Sequence, residues 1–245
     1  MIKKILFSLV FILLVVGGGL FFYLDSIVKS GIEVVGTRVL GTAVTVDSVL
    51  LSPFSGQGTI SGLRVENPEG FDSQYAFELD SVSVALDVNS LLSEVALIES
   101  VVIMQPIITY ETKITTDNIR ALLANLPPSG AAAGNDPETG EPAQQIIVRD
   151  FQMRGSQLNF VAASVTAPVT LADIEIQNIG EEGGASSAAN AIRVVLQELT
   201  RTILNSDLPS LDLLRDSVEG RLQDGAQQVE DAVDDLGGRL RNILN

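Results

Sequence analysis

The residues able to do chemistry in this chain are almost all carboxylates. The 245-residue sequence carries 31 Asp and Glu against 15 Lys and Arg, a net charge of −16, and no Cys, His or Trp. Without Cys or His there is no thiolate nucleophile, no disulfide framework, no zinc site of the usual kind and no Ser-His-Asp triad. Carboxylates alone could pair for acid–base work or hold a hard cation. No EF-hand loop, Walker motif or dinucleotide fingerprint organises them here. Asp72, Glu78, Asp80 and Asp87 read as the wet side of a sheet. Gly56-Gln57-Gly58 lies between strand-like segments and not ahead of a helix, so it reads as a turn and not a phosphate cradle. The acidic balance argues against nucleic acid as a partner. The sequence thus predicts no enzyme, no cofactor and no metal ligand.

Apolar segments define the elements around these residues. Ile5 to Leu24 is a charge-free run of twenty residues. As a helix it would span ~30 Å, the thickness of a hydrocarbon core. Lys3 and Lys4 ahead of it put a four-residue stub (1–4) in the cytoplasm and the rest of the chain outside. A cleaved signal peptide is the competing reading, but the run is long and its exit lacks small residues at a cleavage site. Beyond it the chain has 13 basic and 31 acidic residues, net −18.

Ile27, Val28, Ile32, Val35 and Val39 predict a short amphipathic helix over 26–40. From Thr42 the period becomes two, and strands are expected over 42–50, 59–65, 77–88, 97–110, 145–151, 157–161 and 169–179. The 97–110 stretch is apolar at both parities and contains Pro106, which implies a bulge or an edge. Ile60 is even while Leu63 and Val65 are odd; Phe77 and Leu79 are odd while Val82, Val84 and Leu86 are even; Val169 and Leu171 are odd while Ile174 and Ile176 are even. Inserted bulge residues would restore one apolar face and curve the sheet. Asn118–Leu126 predicts a helix capped by Thr116-Asp117, 127–143 is a Pro- and Gly-rich loop, and a further helix is expected from Ser186 or Ser187 to about Asn205.

The C-terminal segment has its own stripe. Leu211, Leu214, Val218, Leu222, Ala226, Val229, Val233, Leu236, Leu240 and Leu244 recur with a mean spacing of 3.67 residues, the period of a nearly straight helix. Its polar side is acidic, which favours packing on the body or a partner over lying on lipid.

The expected fold class is therefore α+β: a transmembrane helix (5–24), then a curved, mostly antiparallel sheet of about seven strands with its helices (25–126 and 144–180, split by the 127–143 loop), then C-terminal amphipathic helices (186–245). Val44, Val46, Leu63, Val65, Val84, Leu86, Val102, Met104 and Ile108 are the candidates for its apolar groove.

Three stretches carry a family resemblance: Ser55-Gly56-Gln57-Gly58-Thr59-Ile60-Ser61-Gly62-Leu63, the turn Asn67-Pro68-Glu69-Gly70-Phe71, and residues 98–112 followed by Asn118-Ile119 and Leu122-Leu123. Across 27–126 they look like the N-terminal part of bacterial AsmA-like proteins. The resemblance implies a single-pass inner-membrane protein with its body in the periplasm, whose apolar groove binds or hands on phospholipid or acyl chains. A membrane, a phospholipid and an envelope protein are the implied partners. About seven strands give only ~35 Å of sheet, shorter than the long members. The alternative is a non-enzymatic envelope scaffold whose sheet face lies under its own helices. A weaker alternative, a two-layer sandwich of the stress-associated type, rests on Val65-Glu66-Asn67-Pro68 alone.

Overall fold

The computed structural model describes residues 23–113, 115–128, 145–162, 165–181 and 187–208. Ten strands form one sheet: β1 (Val44–Thr45), β2 (Ser48–Ser52), β3 (Gln57–Glu66), β4 (Tyr75–Leu86), β5 (Val95–Met104), β6 (Ile107–Thr112), β7 (Gln145–Arg154), β8 (Gln157–Ala162), β9 (Val165–Thr170) and β10 (Ile174–Ile179). Helix α1 covers 23–40, α2 Asn118–Asn125 and α3 Ala188–Leu204. The pairing order is β10-β7-β5-β4-β6-β8-β9, with β3 on the other edge of β4 and β1 and β2 beyond it. The sheet curls into a half-barrel.

The sheet is mixed: seven of its nine strand pairings are antiparallel, as expected, while β5 pairs with β7, and β6 with β8, in parallel. The connection over 113–144, which contains α2, is long enough for such a crossover. No helix among the described residues is long and apolar enough to cross a membrane, and the first described helix begins at residue 23. No described helix therefore supports the expected transmembrane anchor or, with it, the single-pass inner-membrane placement. Apart from Tyr23 and Leu24 at the start of α1, the 5–24 run lies outside the described residues, as do the loop 129–144 and the stripe 211–244.

Several strands are two halves of one ladder. β5 and β6 pair with β7 and β8 in one unbroken register, from Val95↔Gln145 to Thr112↔Ala162. β9 and β10 likewise run as one line against β8 and β7. The halves meet at a crease crossing the sheet through Gly62, Asp80, Gln105 and Gly155. Gly62, Gln105 and Gly155 have φ of +62°, +52° and +63°. A left-handed residue within a strand reverses the side to which the following side chains point. The apolar parity must then switch there if the apolar side is to stay continuous. It does switch: Val65, Phe77 and Ile108 lie on one side of the crease, and Val82, Ile103 and Met153 on the other. All belong to one core cluster.

The parity switches are therefore real, but their device differs from the expected inserted residues. The β3–β4 register is unshifted between Gln57 and Val65. Val169 and Ile174 do not share a strand. Pro106, fully buried, stands beside left-handed Gln105 at the break between β5 and β6.

The sheet's two edges are treated differently. Along β1–β2, a polar stripe of α1 meets the free backbone. Val44, Val46 and Leu51 N–H groups donate to Thr37 Oγ1 (3.0 Å), Glu33 Oε1 (2.9 Å) and Asp25 Oδ1 (2.9 Å), and Lys29 donates to the carbonyls of Val46 and Asp47. Positions 25, 29, 33 and 37 share one helix face, so α1 seals the edge. Of the apolar stripe anticipated for this helix, Ile27 and Val35 are exposed, while Val28, Ile32 and Val39 are half-buried and Val39 packs against the core. On the opposite edge, Pro168 in β9 has no N–H to offer a partner strand.

The crease gives a graded test. Gly62→Ala places a Cβ 2.1 Å from Asp47 Oδ2, whereas at Gly155 the nearest atom is Gln105 Cγ at 3.4 Å. Both substitutions incur the left-handed backbone cost of ~1–2 kcal/mol, but only Gly62→Ala also displaces the Asp47–Arg64 pair (2.9 Å). Urea unfolding should show the larger loss for Gly62→Ala. Equal losses would contradict the crowding at Gly62.

Candidate functional site

Most of the buried polar side chains gather at the Asn67-to-Phe71 turn. Asn118, at the start of α2, donates from Nδ2 to Asn67 Oδ1 (2.7 Å) and to the Thr109 carbonyl (2.7 Å), and its Oδ1 accepts from the Glu111 N–H (3.1 Å). Asn67 Nδ2 donates to the Ser73 carbonyl (2.8 Å). The Glu111 carboxylate accepts from the Asp72 and Ser73 N–H groups (2.9 and 2.8 Å), with Lys113 Nζ at 3.8 Å. Lys113 also lies 5.5 Å above the Phe71 ring, a cation–π geometry. Burial tends to raise the Glu111 carboxyl, but the bonds from Asp72 and Ser73 and the charge of Lys113 outweigh it and hold it below the usual value of 4.5. Asp117 caps α2 by accepting from Arg120 N–H (2.8 Å). Burial, and then the neighbouring Asp117 charge, push the Tyr110 phenol up to about 12.

These groups spend their hydrogen bonds on one another. They join the turn, β6 and α2, and the cluster works as a fastening and not as a vacant site. Among the described residues no group of three or more Asp or Glu could hold a metal ion.

The apolar side of the sheet is built of rows running across the strands. One row is Val44, Val65, Phe77, Ile108, Leu158 and Val169, each directly paired with the next. Across the crease, a second is Val49, Ile60, Val82, Ile103, Met153 and Ile174, and a third is Leu51, Gly58, Val84, Val101, Phe151 and Ile176. α2 packs on β6, and α3 on β7 and β10. Of the third row only Phe151 is fully buried. Leu51, Gly58, Val84 and Val101 remain half-buried, and the Leu51 side chain reaches over Gly58.

The predicted groove residues divide accordingly. Val44, Val65 and Ile108 share the first row, Val46 is buried and Leu63 half-buried beside it, and Val84 belongs to the third row. Leu86 is half-buried at a register shift. Val102 and Met104 do not join them. Val84 pairs with Val101, and Val102 with Ser83, so Val102 and Met104 face the other side, where Met104 is 51% exposed. Leu51, Gly58, Val101, Phe151 and Ile176 were missed. The sequence does carry a signal for Val101, since β5 is apolar at both parities. The predicted stripe residues Leu211, Leu214, Val218, Leu222, Val229, Val233, Leu236 and Leu240 lie outside the described residues.

The opposite face carries small polar residues. An open depression of about 500 Å³ follows Ser52, Gln57, Ala85 and Ser100, with Leu50, Thr59 and Ser83 in the adjacent row, and Leu51, Gly58 and Val84 of the third row also line it. No charged side chain lines it. No family model, curated protein or solved structure matches the chain.

Asn118→Ala should cost ~2–3 kcal/mol in unfolding experiments, because it strands buried partners at Asn67, Thr109 and Glu111. The Glu111 contribution has a definite sign. Its folded value is depressed, so its stabilisation is complete above the unfolded value of 4.5 and is lost as pH falls below it. Stability measured from pH 6 to pH 3 should therefore fall less steeply in Glu111→Gln than in the parent chain.

Proposed function

We propose that this chain is a non-catalytic binding protein of the AsmA-like kind, and that its half-barrel takes an acyl chain or a similar aliphatic ligand along the third row. The observation carrying this reading is the half-buried run Leu51, Gly58, Val84 and Val101. It is aliphatic, crosses four neighbouring strands, and has no charged member. Lipid tails need volume and apolar contact and not directional bonds. The half-buried run spans about 14 Å across β2, β3, β4 and β5 at the usual ~4.8 Å strand spacing, room for part of one extended acyl chain. The acidic exterior repels anionic head groups, which leaves the tail as the handle. The AsmA-like resemblance points to the same ligand class.

A scaffold is the second reading, and one observation favours it. α3 already occupies the face over β7 and β10, so the half-barrel is not an open trough along its whole width.

The test uses the purified full chain and a fluorescent fatty acid. Saturable binding is expected, with at least a tenfold loss in Val84→Asp and Val101→Asp, and no change in Met104→Asp on the other face. Circular dichroism checks folding of each variant. Equal loss in all three, or no saturable binding by the parent chain, would overturn the acyl-chain reading in favour of the scaffold.

A further inference from the structure

The chain holds a segment whose composition suits the row that stays half-buried. α3 packs over β7 and β10 on the apolar side. The described chain ends just beyond it, with Leu208 still packed against the core. Asn205 and Ser206 donate their N–H groups to the carbonyls of Arg201 and Ile203 (both 3.1 Å), which closes the helix end, and Pro209 follows in sequence. A segment returning beside α3 would lie ~8–10 Å from its axis. That is two strand spacings of ~4.8 Å. Two strands on from β7 in the pairing order are β5 and β4, the strands that hold Val101 and Val84.

We propose that residues 211–244 dock on this row. Their apolar positions would cover Val101, Val84 and the Leu51 side chain over Gly58. The acidic positions between them, including Asp212, Asp216 and Glu219, would face solvent and continue the acidic exterior. At 1.5 Å per residue, the stripe from Leu211 to Leu244 reaches ~50 Å if helical throughout. The part from Leu211 to Leu222 alone spans ~16 Å, enough to cross the half-buried strip. The segment then occupies the surface proposed for the acyl chain, and ligand and segment compete. This consequence, though not the docking itself, rests on the acyl-chain reading.

The chain's lack of cysteine makes the docking directly measurable. In the full chain carrying Val84→Cys, the maleimide reaction rate reports cover over the row. Adding Val218→Asp and Leu222→Asp should raise that rate at least tenfold and tighten binding of the fluorescent fatty acid at least fivefold. Asp216→Asn, on the polar side of the stripe, should change neither. Circular dichroism and the urea midpoint show whether the body stays folded, and if the Asp pair unfolds it, Val218→Ser with Leu222→Ser replaces it. An unchanged thiol rate in a folded variant overturns the docking, whatever the probe does. A faster thiol with no saturable probe binding in either chain upholds the docking and sinks the acyl-chain reading. A faster thiol with unchanged probe affinity overturns the competition.

Discussion

One geometric constraint governs this sheet: side chains alternate, yet a single side must stay apolar across bent strands. A strand that bends through a left-handed residue reverses its alternation, and the sequence must reverse with it. Gly62, Gln105 and Gly155 make that reversal in β3 and at the β5–β6 and β7–β8 junctions. Between them, β4 makes it at Asp80 and Ser81, which are consecutive and both exposed. The result is three apolar rows facing one core. Without the switch, either the Val65–Phe77–Ile108 row or the Val82–Ile103–Met153 row would face water, a loss of roughly 1.5–3 kcal/mol for each large side chain exposed.

The remaining structure follows from that shared side. α2 and α3 pack over its β6 and β7–β10 parts, and the Asn67–Asn118–Glu111 cluster fixes α2 to the turn that leads into β4. α1 seals the β1–β2 edge with Asp25, Lys29, Glu33 and Thr37, while Pro168 withholds a donor at the other edge. With both edges blunted in this way, the third row is the part of the apolar side that stays half-buried.

Much of this architecture was legible in the residues. Period-two patterning located most of the strands but not β9, which lies largely ahead of the expected 169–179 stretch, the Asp117 cap located α2, and the parity switches correctly signalled bending. What could not be read was the means of bending. An inserted residue and a left-handed residue produce the same one-position switch in sequence, and only the register separates them. The same ambiguity misplaced Val102 and Met104, because β5 is apolar at both parities and the choice between them depends on its partner β4. The parallel pairs were hidden for another reason: strand direction is set by the long 113–144 connection and not by strand composition. In α1, spacing revealed an apolar stripe, of which Val28, Ile32 and Val39 are half-buried, but not the polar stripe that meets unsatisfied backbone groups on the sheet edge. The anchor expected from the 5–24 run finds no support among the described helices.

The shared apolar side can be tested by a cysteine scan of β4 in the otherwise cysteine-free chain, from position 77 to position 84, with thiol labelling rates read under native conditions. The account predicts slow labelling at 77, 79, 82 and 84 and fast labelling at 78, 80, 81 and 83, so that two neighbouring positions, 80 and 81, are both open. Unbroken alternation from 77 to 84 would contradict it.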